Sequence, residues 1–213
     1  MREPLRLFDP IPLQPPNRRI YRRLGYRQGV TKLSPGERVE LERWIAEAAV
    51  LIRLKGAAKR LSLIRSGEGE VAIAGGPTWR SRDLAAFVGG AGEIVLLAAT
   101  AGPQIAAAVR RDAGGEMLKR GVVFDAVGSE MTDAALDWIA AFCNRTLRRE
   151  GMGLSRRRYS AGYGDFSLAG QADIYRLLEM ERWGVRITDS FMLEPEKSVT
   201  AVAVVQALKE GTE

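Results

Sequence analysis

The residues best suited to chemistry fall in one stretch, Arg156-Arg157-Arg158-Tyr159-Ser160-Ala161-Gly162-Tyr163-Gly164-Asp165-Phe166. A guanidinium is a planar fork of donors that fits a carboxylate bidentately, so Arg158 is a candidate anchor for an acidic group on a ligand. In an extended segment its neighbour Tyr159 points the other way. Gly162 and Gly164 carry no Cβ and let a ligand approach the backbone closely, while Tyr163 between them can stack and donate a hydrogen bond. Spacing alone describes a surface loop beside a basic run just as well.

A second set of charged groups lies upstream, on the longest helical pattern of the chain. Phe124, Val127, Met131, Ala134, Ala135, Trp138, Ile139 and Phe142 recur at helical spacing and predict a helix from about residue 122 to 149. Asp125, Glu130, Asp133 and Asp137 come early in it, and Arg145, Arg148 and Arg149 come at its end. Acid near the start and base near the finish match the helix dipole, which is the bland explanation of both. Asp133 stands two positions beyond Met131 and so faces away from that residue's side, which leaves its direction to be tested.

Composition narrows the chemistry. The 213 residues hold no histidine, which removes the commonest general base, the serine-hydrolase relay and most zinc sites. The single cysteine, Cys143, excludes an internal disulfide and any cysteine-cluster metal site. No catalytic or metal-ligating residue is therefore assigned. A formal net charge of +6 suits an anionic ligand or an acidic partner surface as well as nucleic acid. No apolar run is long enough to span a bilayer, and Met1-Arg2-Glu3-Pro4 has no signal-peptide core, so the chain is expected to be cytoplasmic.

The elements that must position these groups read as follows. Pro4, Pro10, Pro12, Pro15 and Pro16, followed by Arg18, Arg19, Arg22 and Arg23, suggest a Pro/Arg-rich N-terminal arm over residues 1–30, lying on the body or reaching a partner. Ser34-Pro35-Gly36-Glu37 has the form of a capping box and starts a helix whose stripe is Leu41, Trp44, Ile45, Ala48, Leu51 and Ile52. Strands are predicted at Leu61 to Ile64, Val71 to Ala74 and Ile94 to Thr100, with a short helix from Asp83 to Val88 and another through Ala106 and Val109. Ser167 can cap a helix that runs to Trp183, and Val185 to Leu193 with Ser198 to Val205 predict an antiparallel hairpin. The fold class expected is α+β, a twisted and mainly antiparallel sheet with flanking helices.

The order Arg-x-x-x-Gly-Tyr, a helix, and then Gly-Val-Arg-Ile-Thr-Asp-Ser-Phe-Met-Leu-Glu-Pro-Glu-Lys-Ser-Val-Thr-Ala resembles the C-terminal activation domain of cobalamin-dependent methionine synthase. Arg158, Gly162, Tyr163, Thr188, Asp189, Ser190, Phe191, Pro195, Ser198 and Val199 occupy the matching places, and the similarity spans about residues 120–205. Leu96 to Gly102 and Asp125 to Asp137 resemble small stand-alone relatives of that domain. The resemblance implies a methionine synthase activation domain-like fold, with residues 31–213 forming a single S-adenosylmethionine-binding domain. It implies reductive methylation, in which S-adenosylmethionine is held over an oxidised cobalamin carried by a partner, and an electron from flavodoxin or ferredoxin permits methyl transfer. The partner would be a cobalamin-binding methionine synthase core or other corrinoid protein.

Carried over by residue, Arg158 would hold the ligand's methionine carboxylate, and Ser160 and Ala161 would offer backbone polar groups. Gly162 belongs to the same motif, and Tyr163 would pack or hydrogen-bond beside the nucleoside. Asp133 falls at a glutamate of the family and could meet the ligand's ammonium or sulfonium charge. The resemblance finds no counterpart in this sequence for a tyrosine that touches the ligand after the family's last strand. Two other readings stand behind this one. In the first, Arg18 to Arg27 and Arg156 to Arg158 track nucleic-acid phosphates while Tyr159 and Tyr163 stack on bases. In the second, the chain is a self-contained S-adenosylmethionine-dependent methyltransferase.

Overall fold

The computed structural model describes residues 4–27, 29–114 and 117–208. The elements run β1 (Arg6–Phe8), α1 (Asn17–Arg23), α2 (Pro35–Leu51), β2 (Lys55–Gly67), β3 (Glu70–Ile73), β4 (Thr78–Arg80), α3 (Arg82–Val88), β5 (Glu93–Thr100) and α4 (Pro103–Asp112). There follow α5 (Leu118–Leu147), β6 (Met152–Leu154), α6 (Gly170–Leu177), β7 (Arg186–Ile187), β8 (Leu193–Glu194) and β9 (Ser198–Ala207), with single 3-10 turns at Arg148–Glu150 and Met180–Trp183.

An antiparallel sheet has the order β4-β3-β2-β5-β9-β6, and β1 lies against the first part of β2, opposite β5. This is the α+β arrangement expected from the sequence. Helices cover both faces, which explains why β5 reads as an unbroken apolar run instead of an alternating one. Val95, Leu97 and Ala99 join the core built with α2, α4 and α5, whereas Ile94, Leu96 and Ala98 join the core built with α3 and α6. β9 divides in the same way, Ala201, Ala203 and Val205 to one side and Val202 and Val204 to the other.

α2 starts where the capping box places it: the Ser34 side chain accepts from the Glu37 amide, and Glu37 Oε2 accepts from the Ser34 amide at 2.8 Å. α5 spans 30 residues, about 45 Å at the usual helical rise. It lies close to the sheet because Gly128 leaves room for the Lys197 stem and Ile105. Lys197 Nζ then donates to Asp125 at 2.6 Å and Ser129 at 3.0 Å, pinning the start of β9 to the helix.

α5 starts about four residues earlier than the sequence predicts, and four other stretches differ more. β2 begins at Lys55, well before the apolar run at Leu61, and its first half went unmarked because Gly56, Ala57 and Ala58 followed by Lys59 and Arg60 carry no strand pattern. A Cβ at Gly56 would collide with the Ala98 carbonyl and the Ile139 side chain, so the bare backbone of this stretch is what lets α5 pack Ile139 onto the sheet here. The hairpin expected from Val185 to Val205 does not form. β7 pairs only with β8, through Arg186↔Glu194 and Ile187↔Leu193, and β9 inserts between β5 and β6. A strand buried on both faces satisfies its backbone only with a neighbour on each edge.

The helix expected to reach Trp183 stops at Leu177 instead. Glu179 turns to φ +48, and Trp183 Nε1 donates back to the Leu178 carbonyl at 3.2 Å. In the proline-rich segment, Arg6–Phe8 pair as a strand and Asn17–Arg23 form a helix whose Ile20 is fully buried. Prolines at positions 15 and 16 precede this helix, so they interrupt none of its hydrogen bonds.

Candidate functional site

The Arg158–Phe166 loop leaves β6 and continues along the free edge of β9. Tyr159 exchanges backbone hydrogen bonds with Val202 at 2.9 and 2.7 Å, and Ser160 Oγ donates to the Thr200 carbonyl at 2.8 Å. Because the segment is extended here, successive side chains leave on opposite faces. Tyr159 goes to the α3 side, its ring 5.5 Å from Phe87 and 6.5 Å from Phe166. Arg158 goes to the α5 side, where its Nη2 donates to Asp137 Oδ1 at 2.7 Å.

The chain then folds back on itself. Gly162, at φ +89, donates to the Phe166 carbonyl at 2.8 Å, and the Phe166 amide donates to the Tyr163 carbonyl at 2.9 Å. Gly164 sits at φ +50, and a Cβ there would collide with the Asp83 carboxylate and the Tyr159 hydroxyl. Tyr163 is left 64% exposed at the tip, free to cover a ligand. The base of the loop is clamped by Asp165, which the sequence reading passed over. Its carboxylate accepts from the Ser81 hydroxyl and from the Arg82 and Asp83 amides at 2.8 and 3.1 Å. The Ser81 hydrogen bond, joined by those amides, holds the Asp165 carboxyl below the ordinary aspartate range despite some desolvation.

Across from the loop, Glu130, Asp133 and Asp137 stand on one face of α5 and meet arginines from α1. Arg19 donates to Glu130 and Asp137, each at 2.7 Å, and Arg23 to Glu130 at 2.7 Å. Burial alone would raise the Glu130 carboxyl, but the hydrogen bonds from Arg23 and Arg19 outweigh it and hold it below the ordinary glutamate range. Asp133 differs from its neighbours. Its guanidinium neighbours stand at 3.9 and 3.7 Å, and it accepts no hydrogen bond among the described residues. Burial, with the Glu130 charge adding to it, pushes its carboxyl up. It is the carboxylate of the cluster best able to take a further cation.

Asp133 and Arg158 thus belong to one charged cluster, joined through Asp137 and Arg19. The cluster puts anionic and cationic groups together beside the middle of α5, an arrangement suited to a zwitterionic ligand. Ser160 Oγ is committed to β9 and Gly162 to the loop's own turn, and Ala161 is half-buried between them. The helix dipole does not account for Glu130, Asp133 and Asp137, because α5 begins at Leu118 and the dipole acts within the first turn. Their spacing along the helix was the signal that could have marked them together. Arg19 and Arg23 carried no such signal, since nothing in the sequence pairs residues 19 and 130. Thr200 and Gln171 also went unremarked, although Thr200 Oγ1 donates to Gln171 Oε1 at 2.6 Å beside Ser160.

Among the described residues no group of histidine, cysteine, aspartate or glutamate could hold a metal ion, and no helix is long and apolar enough to cross a membrane. Compared as a sequence, the chain matches no family model and no curated protein. Compared as a structure, it is similar to the crystal structure of the MetH reactivation domain bound to AdoHcy, with a TM-score of 0.68 at 13% identity. The match covers 99% of this chain and 81% of that one. Identity at that level shows a shared fold, from end to end of the described structure.

Proposed function

We propose that this chain, with the fold of a reactivation domain, binds S-adenosylmethionine between the Arg158–Asp165 loop and α5. Its role would be to support reductive remethylation of a cobalamin carried by a corrinoid-binding partner. The observation that carries the reading is the convergence of Arg158 and Asp133 in one cluster beside the middle of α5, on a fold shared with a domain solved with AdoHcy. When bound, S-adenosylmethionine supplies an electrophilic methyl group, and such a transfer takes no proton from a protein side chain. A chain without histidine can serve it.

The residues of this chain hold and orient. Arg158 keeps guanidinium donors beyond the one given to Asp137, and they would grip the ligand's carboxylate. Asp133 would face the ammonium or sulfonium charge, and Tyr163 would close over the nucleoside from the loop tip. Because Asp165 and the Gly162–Phe166 turn fix the loop in advance, little ordering would be needed on binding. The cobalamin would come with the partner, since a sequence without histidine has no Asp-x-His-x-x-Gly segment to ligate cobalt. Flavodoxin or ferredoxin would supply the electron, and a basic face suits such acidic donors.

The test mixes the purified chain with a corrinoid protein in the cob(II)alamin state, reduced flavodoxin and S-adenosylmethionine, and follows the corrin absorbance. Methylcobalamin should accumulate only when this chain is present. Methylation of a small substrate without any corrinoid protein would overturn the reading in favour of a self-contained methyltransferase. Salt-sensitive RNA binding without S-adenosylmethionine binding would overturn it in favour of a nucleic-acid-binding protein.

A further inference from the structure

α1 presents arginines in two directions. Arg19 and Arg23 lie one turn apart and face α5, where Glu130, Asp133 and Asp137 neutralise them. Arg18 and Arg22 each precede one of these by a residue, about 100° around the helix, and therefore look away from α5. They open onto a cleft of about 1170 Å3 whose other walls are Tyr21, Tyr26, Arg27 and Arg38. Arg19 and Asp137 close one end, so the cleft begins where the cluster described above stops.

The charge inside is unbalanced. Arg18, Arg22, Arg27 and Arg38 have no ion-pair partner among the described residues, and Asp137 is already shared by Arg19 and Arg158. Glu42 is the acidic group that acts on Tyr21 from α2, opposed there by Arg38. Like charges one helical turn apart, such as Arg18 and Arg22, repel each other and are relieved by an anion. The cleft is also aromatic. Gly25, at φ +85, reverses the chain so that the Tyr26 amide donates to the Tyr21 carbonyl at 2.9 Å, and the rings meet at 5.8 Å and 57°. Burial pushes the Tyr21 hydroxyl up, with Glu42 adding to it, so at neutral pH it remains a donor.

We infer that this cleft is a second ligand site, for a nucleoside diphosphate or a similar phosphate ester bearing a planar ring. Arginine forks match phosphate oxygens bidentately, and the tyrosines supply a surface for the ring. The concave shape favours a small molecule over the flatter surface of an acidic protein, the cleft being somewhat larger than the range of about 300–1,000 Å3 usual for ligand sites. Arg18, Arg22, Arg27 and Arg38 have no part in the S-adenosylmethionine cluster, although the cleft adjoins that cluster through Arg19 and Asp137.

The test is titration calorimetry on the full chain at low salt with ADP, inorganic pyrophosphate and adenosine as separate probes. ADP should bind, pyrophosphate should bind at least threefold more weakly, and adenosine should bind weakest. The double variant Arg22→Ala/Arg27→Ala should lose at least tenfold in ADP affinity with an unchanged melting temperature, whereas the exposed Arg65→Ala should match the parent. Excess S-adenosylmethionine should not displace ADP. Displacement by S-adenosylmethionine would put ADP in the other site and overturn the inference. So would equal affinity for ADP and pyrophosphate, parental affinity in the double variant, or binding of an oligonucleotide or an acidic protein without binding of ADP.

Discussion

Asp133 carries a tension between stability and binding. Its carboxyl is raised by burial and then by the Glu130 charge, with Arg19 and Arg23 opposing, so ionisation is less favourable in the folded chain than in the unfolded one. The resulting destabilisation is absent below the ordinary aspartate value of about 3.9 and present in full above the raised folded value. Asp133→Asn should therefore melt higher than the parent at pH 7, and the gain should vanish in melts run below that ordinary value. The same variant should bind S-adenosylmethionine more weakly. A lower melting temperature at neutral pH would show that the arginines, not burial, dominate at this position. The sequence marked Asp133 as facing away from Met131, and only a family resemblance gave it a role. Its neighbours Glu130 and Asp137 looked like dipole partners because the start of α5 was set too late, and a start four residues earlier removes that explanation.

At the scale of elements, the loop after β6 is held by a contact with the start of α3. Asp165 is depressed by the Ser81 hydrogen bond and by the Arg82 and Asp83 amides, so its stabilisation is present above the ordinary aspartate value and is lost as pH falls through the folded one. Asp165→Ala should speed hydrogen exchange at the Gly162 and Phe166 amides while α5 keeps its protection, and it should weaken ligand binding by loosening Tyr163. Unchanged exchange at those amides would mean that the turn holds itself. The turn's glycines were legible in the sequence, but the clamp was not, because Ser81 and Asp165 come from distant parts of the chain. The same limit explains β9. Its apolar run marked a strand, yet only the unpaired edges of β5 and β6 decide that it leaves β8 and enters the sheet. Periodicity identified α2 and α5 because helices are local, whereas strand partners are not.

At the scale of the molecule, the segment before α2 is built into the body. Ile20 is fully buried against the α5 side of the sheet, and β1 fills the edge of β2 that β3 leaves open. Ile20→Ala should lower global stability by about 2–5 kcal/mol, read as a fall in the denaturant midpoint. An unmoved midpoint would mean that the segment detaches on its own. Its prolines and arginines looked like an arm because proline spacing reports where helices cannot grow and says nothing about what a short strand or helix beyond them packs on. The whole fold can persist at 13% identity because both sheet faces need only apolar residues of suitable size. The charged face of α5 is more exacting, since Arg158 must stand opposite its carboxylates.

The most direct measurement of that arrangement is calorimetry with S-adenosylmethionine on the parent chain and on Arg158→Ala. Binding by the parent is expected. Loss of a charged hydrogen-bond partner removes about 1.5–3 kcal/mol, so the variant should bind roughly 10- to 100-fold more weakly. Equal affinity in the two chains, or no binding by the parent, would contradict the proposed site.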